Sequence, residues 1–302
     1  MCGVVPAVVA LGNFDGVHLG HQVVIRRAVE EARERGLRSV AATFDPHPQA
    51  VLRPGSEPKL LTTSEVRKEL LLGRGVDEVR EIRFDEKLSK KSAEEFVWET
   101  LIGELAAVVV VVGENFRFGY RASGNVEDLR RCMRRAGGEA YAVPIYAFLG
   151  ESINSTNIRA LLAGGEVREA ARLLGRPYSL RGEVVVGDRR GRRLGFPTAN
   201  VLPDLRSLVP GWGVYAGHTR ILLGGERYGA CTNVGTAPTF ERRESKVEAH
   251  LLGYQGDLYG KVVDVTFVER LRPEKQFFGV DELKEQIAWD VAEAKKVVGE
   301  GA

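Results

Sequence analysis

The sequence predicts an α/β domain built on a parallel sheet, followed by a small all-β domain, a barrel or sandwich, closed by one helix. Three observations carry this. In the first half, apolar runs of strand length alternate with amphipathic helical stretches. From residue 178 onward, short β-type runs follow one another between glycine-rich turns. A terminal stretch near residues 281–298 then places Leu283, Ile287, Val291 and Ala294 along one helical face. With 302 residues the chain is long enough for two separate cores.

Residues 4–11 form an apolar run that stops at Gly12. Residues 18–35 repeat Val23, Val24, Arg27, Ala28 and Ala32 at helical spacing and end at Gly36. Residues 39–44 read as a second strand. Thr62 with Glu65 has the pattern of a capping box and opens a helix to Leu72. Residues 78–84 read as a strand, and Ser92 with Glu95 repeats the capping pattern before Phe96, Val97 and Leu101. Residues 106–112 give the strongest buried-strand signal. Asn125 opens a helix through Leu129 and Met133, and residues 140–146 form a further strand. Strands alternating with helices imply parallel strands covered on both faces. Helices over 156–162 and 166–174 end at Gly175-Arg176-Pro177, so the domains are expected at 1–176 and 177–302. The β segments of the second half are 178–186, 198–202, 214–222, 228–234, 246–252 and 262–271.

The charge is nearly balanced, with 43 basic and 41 acidic residues and a net charge of +2. Nucleic-acid binding usually leaves a larger basic excess, so no nucleic-acid partner is expected. No run approaches the ~18 apolar residues of a membrane span, and the first residues lack the basic flank and apolar core of a signal peptide. Cys2, Cys132 and Cys231 are scattered without CxxC spacing, which points away from a disulfide framework or zinc site. A cytoplasmic, reducing setting follows as the expectation. The sequence sets no oligomeric state.

Two strings carry chemistry. The first is Gly12-Asn13-Phe14-Asp15-Gly16-Val17-His18-Leu19-Gly20-His21, between a strand and the start of a helix. Ligands of open α/β sheets bind there, beyond the carboxyl ends of strands. Backbone N–H groups at a helix start favour anions, glycines permit close approach, and two histidines three apart can serve phosphate oxygens. A turn with a capping histidine pair is the ordinary alternative, and the strand–turn–helix context favours phosphate binding. Ser155-Thr156-Asn157-Ile158-Arg159 adds two hydroxyls and an arginine at a second helix start. Taken alone it would be a common Ser/Thr cap.

The second string runs Gly182-Glu183-Val184-Val185-Val186-Gly187-Asp188-Arg189-Arg190-Gly191-Arg192-Arg193-Leu194-Gly195-Phe196-Pro197-Thr198-Ala199-Asn200. The loop is not a Walker motif, yet its backbone donors can cradle phosphates. Thr198 and Asn200, two apart on a strand, face one side, which suits Mg²⁺. Each part also has a plain reading: the arginines as a solvated turn, Thr198 and Asn200 as partners of backbone groups.

With these residues in place, the chain resembles the bacterial fusion of an FAD synthetase with a riboflavin kinase. The first half matches through Gly12 to His21, Thr43-Phe44-Asp45-Pro46-His47-Pro48, Val112-Gly113-Glu114-Asn115-Phe116-Arg117-Phe118-Gly119 and Ser155 to Arg159. The second half matches through its Pro197-Thr198-Ala199-Asn200 segment, Gly213-Val214-Tyr215-Ala216-Gly217, Asn233-Val234-Gly235-Thr236-Ala237-Pro238-Thr239-Phe240, Val247-Glu248-Ala249-His250, Asp257-Leu258-Tyr259-Gly260 and Leu271-Arg272-Pro273-Glu274-Lys275. The resemblance implies a Rossmann-like HxGH nucleotidyltransferase domain, then a six-stranded β-barrel riboflavin kinase domain with a C-terminal helix. It implies that riboflavin and ATP give FMN and ADP, and that FMN and ATP give FAD and pyrophosphate, with Mg²⁺ accompanying ATP.

By the same resemblance, His18, His21, Asn115 and Arg159 would serve adenylyl transfer, and Glu248 would be the general base on the ribityl 5′-hydroxyl. Gly12, Phe14, Gly16, Gly20, Ser155 and Thr156 would surround one nucleotide, and Gly187, Arg193, Gly195 and Pro197 the other. Pro46 and Pro48 would shape a flavin pocket, Arg272 would belong to a flavin-side loop, and Thr198 and Asn200 would hold the metal. By spacing alone Glu248 could be a surface residue of a strand edge. His218 and His250 read as structural or surface residues, and His47, in the first-half pocket string, is given no chemistry. Three rivals stand beside this reading. One is an HxGH transferase acting on pantetheine or glycerol phosphate, which has no need of the second module. Another is a class I aminoacyl-tRNA synthetase, whose KMSKS string is missing here. The third is a flavin-binding protein without turnover.

Overall fold

A computed structural model describes residues 5–144, 147–148, 151–187, 191, 194–236 and 245–299. The chain divides into two compact units, Met1–Ser155 and Thr156–Ala302.

The first unit is a five-stranded parallel sheet of β1 (Ala7–Leu11), β2 (Arg38–Asp45), β3 (Glu78–Arg83), β4 (Ala107–Gly113) and β5 (Glu139–Val143). The strand order is β3-β2-β1-β4-β5. β1 and β4 are apolar at nearly every position because both their faces are covered. The order reverses at β1, so the loop after β1 opens at the switch point, beside the end of β4.

On one face α1 (Leu19–Arg35) packs Val24, Ile25, Ala28 and Ala32 against Val8, Ala10, Val109 and Val111. Gly36, in the left-handed region at φ 63°, ends the helix with its N–H on the Ala32 and Arg33 carbonyls. Short helices α2 (Pro48–Leu52), α3 (Ser64–Leu72) and α4 (Glu86–Ser89) follow the second and third strands. The opposite face is covered by α6 (Val126–Arg135) and by the segment 93–104. That segment starts as the expected Ser92–Glu95 capping box on α5 (Ala93–Glu95), then widens into π-type turns over Phe96–Glu104. Phe96, Val97, Thr100 and Leu101 are its buried residues. The cap of α3 is Thr63 rather than the expected Thr62: the Thr63 side chain accepts from Val66 N–H, while Thr62 is drawn away to Asp15. A two-stranded ribbon, β6 (Ala147–Phe148) with β7 (Glu151–Ser152), follows β5.

The second unit is a closed antiparallel barrel of β8 (Tyr178–Val185), β9 (Ala199–Pro203), β10 (Gly213–Ile221), β11 (Arg227–Thr236), β12 (Ser245–Leu251) and β13 (Val262–Arg272). Its order is β10-β11-β12-β9-β8-β13, the six-stranded barrel that the family resemblance implies. α7 (Ser155–Gly164) and α8 (Val167–Leu174) precede it. The Leu162 carbonyl accepts from Gly211 N–H at 2.9 Å, and Arg168 pairs with Glu269 on β13 at 2.5 Å. The closing helix α9 (Val280–Val298) packs Val291, Ala294 and Val297 against Val214, Ala216 and Cys231 on the barrel exterior.

The barrel interior centres on Phe267, which is 0% exposed. Its ring lies 5.3 Å from Tyr215, edge to face, and 6.3 Å from Tyr178. Phe267→Ala is expected to destabilise this unit by about 3–5 kcal/mol, read from the denaturant midpoint. A loss below about 1 kcal/mol would contradict a core role for the ring.

Candidate active sites

In the first unit the loop from Gly12 to His18 is held by buried hydrogen bonds. Asp15, 1% exposed, accepts from the Leu61 and Thr62 N–H groups at 3.0 Å each. Thr62 Oγ1 accepts from Gly16 N–H at 3.1 Å. Thr43 Oγ1 donates to the Asn13 carbonyl, and Ser155 Oγ to the Asp15 carbonyl at 3.0 Å. Phe14, Gly16 and Val17 all take positive φ. Two non-glycine residues in that region mark a loop whose shape is imposed by its surroundings.

Phe14 is buried, and its ring edge faces His21 at 5.4 Å. A Cβ at Gly12 would stand 3.1 Å from the Phe14 ring, and one at Gly20 3.2 Å from His18 Cε1. These two glycines therefore let the loop close on the aromatic rings. His18 is the N-cap of α1, and its Nδ1 accepts from His21 N–H at 3.3 Å. That role leaves the ring proton of neutral His18 on Nε2, as a donor. The His18 and His21 rings stack with centroids 3.5 Å apart. Burial foremost, then His18 and Arg67, hold the His21 imidazole well below the usual histidine range. It is a neutral donor at pH 7.

Asn115 follows β4, its Oδ1 folded back to 3.3 Å from where a Gly113 Cβ would stand. Pro46 follows β2 and Pro48 opens α2, where His47 Nδ1 accepts from Gln49 N–H at 3.2 Å. The end of β1, its loop and Ser155 are thus tied together, and Asn115 stands at the end of the neighbouring strand. Thr156 and Arg159 lie on α7, one exposed and one half-buried. Arg67 was not foreseen. It is 2% exposed, 3.9 Å from Asp45 and 3.5 Å from the Phe44 carbonyl. Burial lowers its pKa against the opposing pull of Asp15, Asp45 and Glu81. The signal in the sequence was a cation four residues before Leu71, in the apolar stripe of a helix.

The second unit gathers its polar residues on the barrel exterior. Asn200 on β9 pairs with Glu248 on β12, which pairs with Asn233 on β11. Residues in register on neighbouring strands share a face, and the alternating Val247 and Ala249 fill the interior. Lys246 lies 3.1 Å from Glu248. Thr198 stands just before β9, and among the described residues the buried Asn200 Oδ1 atom has no hydrogen-bond partner. His250, given no chemistry from sequence, bonds the Pro197 carbonyl through Nδ1 at 2.8 Å and meets Phe196 edge to face. It therefore anchors the segment that carries Thr198. A cleft lined by Pro197, Thr198, Asn200, Tyr254, Asp257 and Tyr259 opens beside this row.

The loop before β9 closes on the same residues. A Cβ at Gly187 would fall 2.3 Å from the Asn200 Nδ2, and one at Gly191 3.2 Å from Thr198 Oγ1. Gly195 has φ 91°, a left-handed conformation that suits glycine. Arg193, like Arg189, Arg190 and Arg192, lies outside the described residues. Gly187→Ala is expected to displace the Asn200 amide. Loss of activity at this site should be on the order of 10²-fold, with the first-unit reaction unchanged as internal control. Equal activity in the Ala variant would contradict the close approach.

Arg272 ends β13 with its guanidinium held by Asp290 on α9, Nη2 to Oδ2 at 2.7 Å. Burial, then the Asp290 carboxylate, push the Cys231 thiol up to about 12, so it is no nucleophile. Among the described residues, no group of three His, Cys, Asp or Glu side chains could hold a metal ion, and no helix is long and apolar enough to cross a membrane.

Comparison with known proteins follows this two-site arrangement. The FAD synthetase family matches residues 4–157, and the Riboflavin kinase family matches residues 174–298. A bifunctional riboflavin kinase/FMN adenylyltransferase of Escherichia coli K12 is 36% identical over 293 residues, 97% of this chain and 93% of that one. The protein of the same name from Bacillus subtilis is 37% identical over 292 residues, 95% and 91% of the two chains. Among solved structures, a protein from Streptococcus pneumoniae named a macrolide-efflux protein superposes with a TM-score of 0.88. It is 33% identical, over 97% of this chain and 95% of that one.

Proposed function

The chain belongs to the bifunctional riboflavin kinase/FMN adenylyltransferase family, and from that premise we propose how its two sites divide the work. The chain is a transferase with both activities: it phosphorylates riboflavin to FMN and adenylylates FMN to FAD, with ATP as the donor in each step. The functional domains run 1–176 and 177–302. The observation that carries the kinase assignment is the row of Asn200 and Glu248 on adjacent strands beside Thr198.

In the kinase site the riboflavin 5′-hydroxyl attacks the γ-phosphorus of ATP, and ADP leaves. Glu248 accepts the hydroxyl proton. Pro197, Gly187, Gly195 and Arg193 border the nucleotide. The buried Asn200 Oδ1, without a partner among the described residues, and the Thr198 hydroxyl are hard oxygen donors that fit Mg²⁺ retaining waters and phosphate oxygens. When bound, the ion neutralises charge on the transferring phosphoryl group. Arg272, engaged by Asp290, serves the flavin through the segment it anchors.

In the adenylyltransferase site an FMN phosphate oxygen attacks the α-phosphorus of the second ATP. The bond from that phosphorus to the β-phosphate bridge breaks, and pyrophosphate leaves. No side chain forms a covalent intermediate, so the residues act by positioning and by stabilising charge. His21 donates to phosphate oxygens from a neutral ring, and His18 donates beside it. Gly12, Gly16 and Gly20 let the chain approach the triphosphate, and Phe14 supports the His21 ring. Ser155, Thr156 and Arg159 grip the triphosphate, Asn115 orients the reacting groups, and Pro46 and Pro48 border the flavin. The reactions belong to a reducing cytoplasm, a setting supported by Cys132 and Cys231, both free and buried.

Two incubations test the reading. Riboflavin with ATP and Mg²⁺ is expected to give FMN and ADP. FMN with ATP and Mg²⁺ is expected to give FAD and pyrophosphate, and excess EDTA should stop both. A chain that binds flavin tightly and forms neither product would be a binding protein.

A further inference from the structure

Asp290 belongs to none of the motifs, yet it is one of the most deeply buried carboxylates of the second unit, 2% exposed on α9. Both its oxygens are engaged. Arg272 donates from Nε to Oδ1 at 2.8 Å and from Nη2 to Oδ2 at 2.7 Å, and Gln286 Nε2 adds a bond at 3.0 Å. A buried carboxylate is tolerated only with such pairing, and the fork of an arginine fixes direction as well as distance.

What Arg272 does with its other atoms gives the pair a consequence. Its Nη1 donates to the Pro273 carbonyl at 3.0 Å, and its guanidinium lies 5.7 Å from the Phe277 ring. One buried pair therefore fixes both ends of the segment 273–277. The other tie is exposed: Lys275 to Glu282 at 3.0 Å, with Phe278 N–H also on Glu282. Exposed pairs hold weakly, so the buried one decides where the segment lies.

One side chain of the segment reaches the barrel face that carries Glu248. Glu274 Oε1 stands over Gly235, only 2.5 Å from where a Cβ would be. Gly235 is in register with Lys246, one row from the Asn233–Glu248 pair, and Lys246 is ion-paired to Glu248. The placing of 273–277 thus sets where Glu274 stands, one row from Glu248. We propose that Asp290 is a positioning residue for the kinase site, fixing Arg272 so that residues 273–277 hold riboflavin against Glu248. The proposal rests on the kinase reading above.

The test is steady-state kinetics of the full chain carrying Asp290→Asn, alongside the double variant Asp290→Leu with Arg272→Met. The double variant removes both charges together, so no unpaired ion is left buried. In both, KM for riboflavin is expected to rise roughly tenfold or more, with KM for ATP in the kinase reaction and FAD formation from FMN unchanged. Unaltered KM for riboflavin in a folded double variant would overturn the proposal. So would an equal rise in both kinase KM values, which marks general loosening. A wild-type chain that makes no FMN would remove the kinase reading itself. A wild-type chain that makes FMN, with variants of normal KM, would remove only the role of Asp290.

Discussion

Glu248→Gln is expected to slow FMN formation from riboflavin by on the order of 10²–10⁴-fold, the usual worth of a positioned general base. The amide keeps the size and hydrogen-bonding reach of the carboxylate but loses its charge, hence the ion pair with Lys246, and the capacity to take the 5′-hydroxyl proton. Substrate KM values should therefore change little, while kcat collapses. The neighbours make this a clean substitution. Glu248 is half-buried on the barrel exterior, paired to Lys246 and in register with Asn200 and Asn233. No core contact is lost, since the interior positions beside it are Val247 and Ala249. FAD formation from supplied FMN serves as the control and should stay at the wild-type rate. A Gln variant that still phosphorylates riboflavin normally would show that Glu248 is an ordinary strand residue.

His21→Ala has the reverse signature. FAD formation from FMN should fall by on the order of 10²–10³-fold, as for the loss of one donor to developing charge, and FMN formation should be untouched. The effect reaches beyond one donor, because the His21 ring stacks on His18 and rests against Phe14. The variant has a second readout in stability against pH. His21 titrates well below its ordinary 6.5 in the folded chain, so the unfolded chain binds a proton first as the pH falls. Its stabilising contribution is complete above about 6.5 and is lost as the pH drops through the folded value. The Ala variant should lack that slope. A variant with normal FAD synthesis would remove the HxGH pair from the reaction.

The strands and their order in chain were legible because each leaves a local pattern. β1 and β4 are continuous apolar runs, as strands buried on both faces must be, and the barrel strands alternate between glycine-rich turns. The helix starts were legible where one capping box settles them, as at Ser92, and less so where two hydroxyls adjoin. At Thr62 and Thr63 the choice depends on Asp15, far away in sequence. The buried face of Phe96–Glu104 was legible as helical, but its π-type turns were not, since i, i+1, i+4 and i+5 also share a face in an α-helix.

The sites divide in the same way. Histidines and hydroxyls in strings could be read from the strings. That Glu248 faces Asn200 is a matter of register between strands brought together by barrel closure, which no local pattern encodes. Arg67 and Asp290 escaped for that reason: each acts through a partner distant in the chain. Arg272 was read as a flavin residue from its string, and only the fold reveals that its guanidinium is committed to Asp290.

The central claim is that one chain carries riboflavin through both transfers. Purified protein with riboflavin, ATP and Mg²⁺ would be sampled over time, with flavins separated by chromatography and ADP and pyrophosphate counted. The account predicts that FMN rises first and FAD follows, with one ADP and one pyrophosphate released per FAD. FMN accumulating with no FAD, and no FAD from added FMN, would contradict the assignment of the first unit.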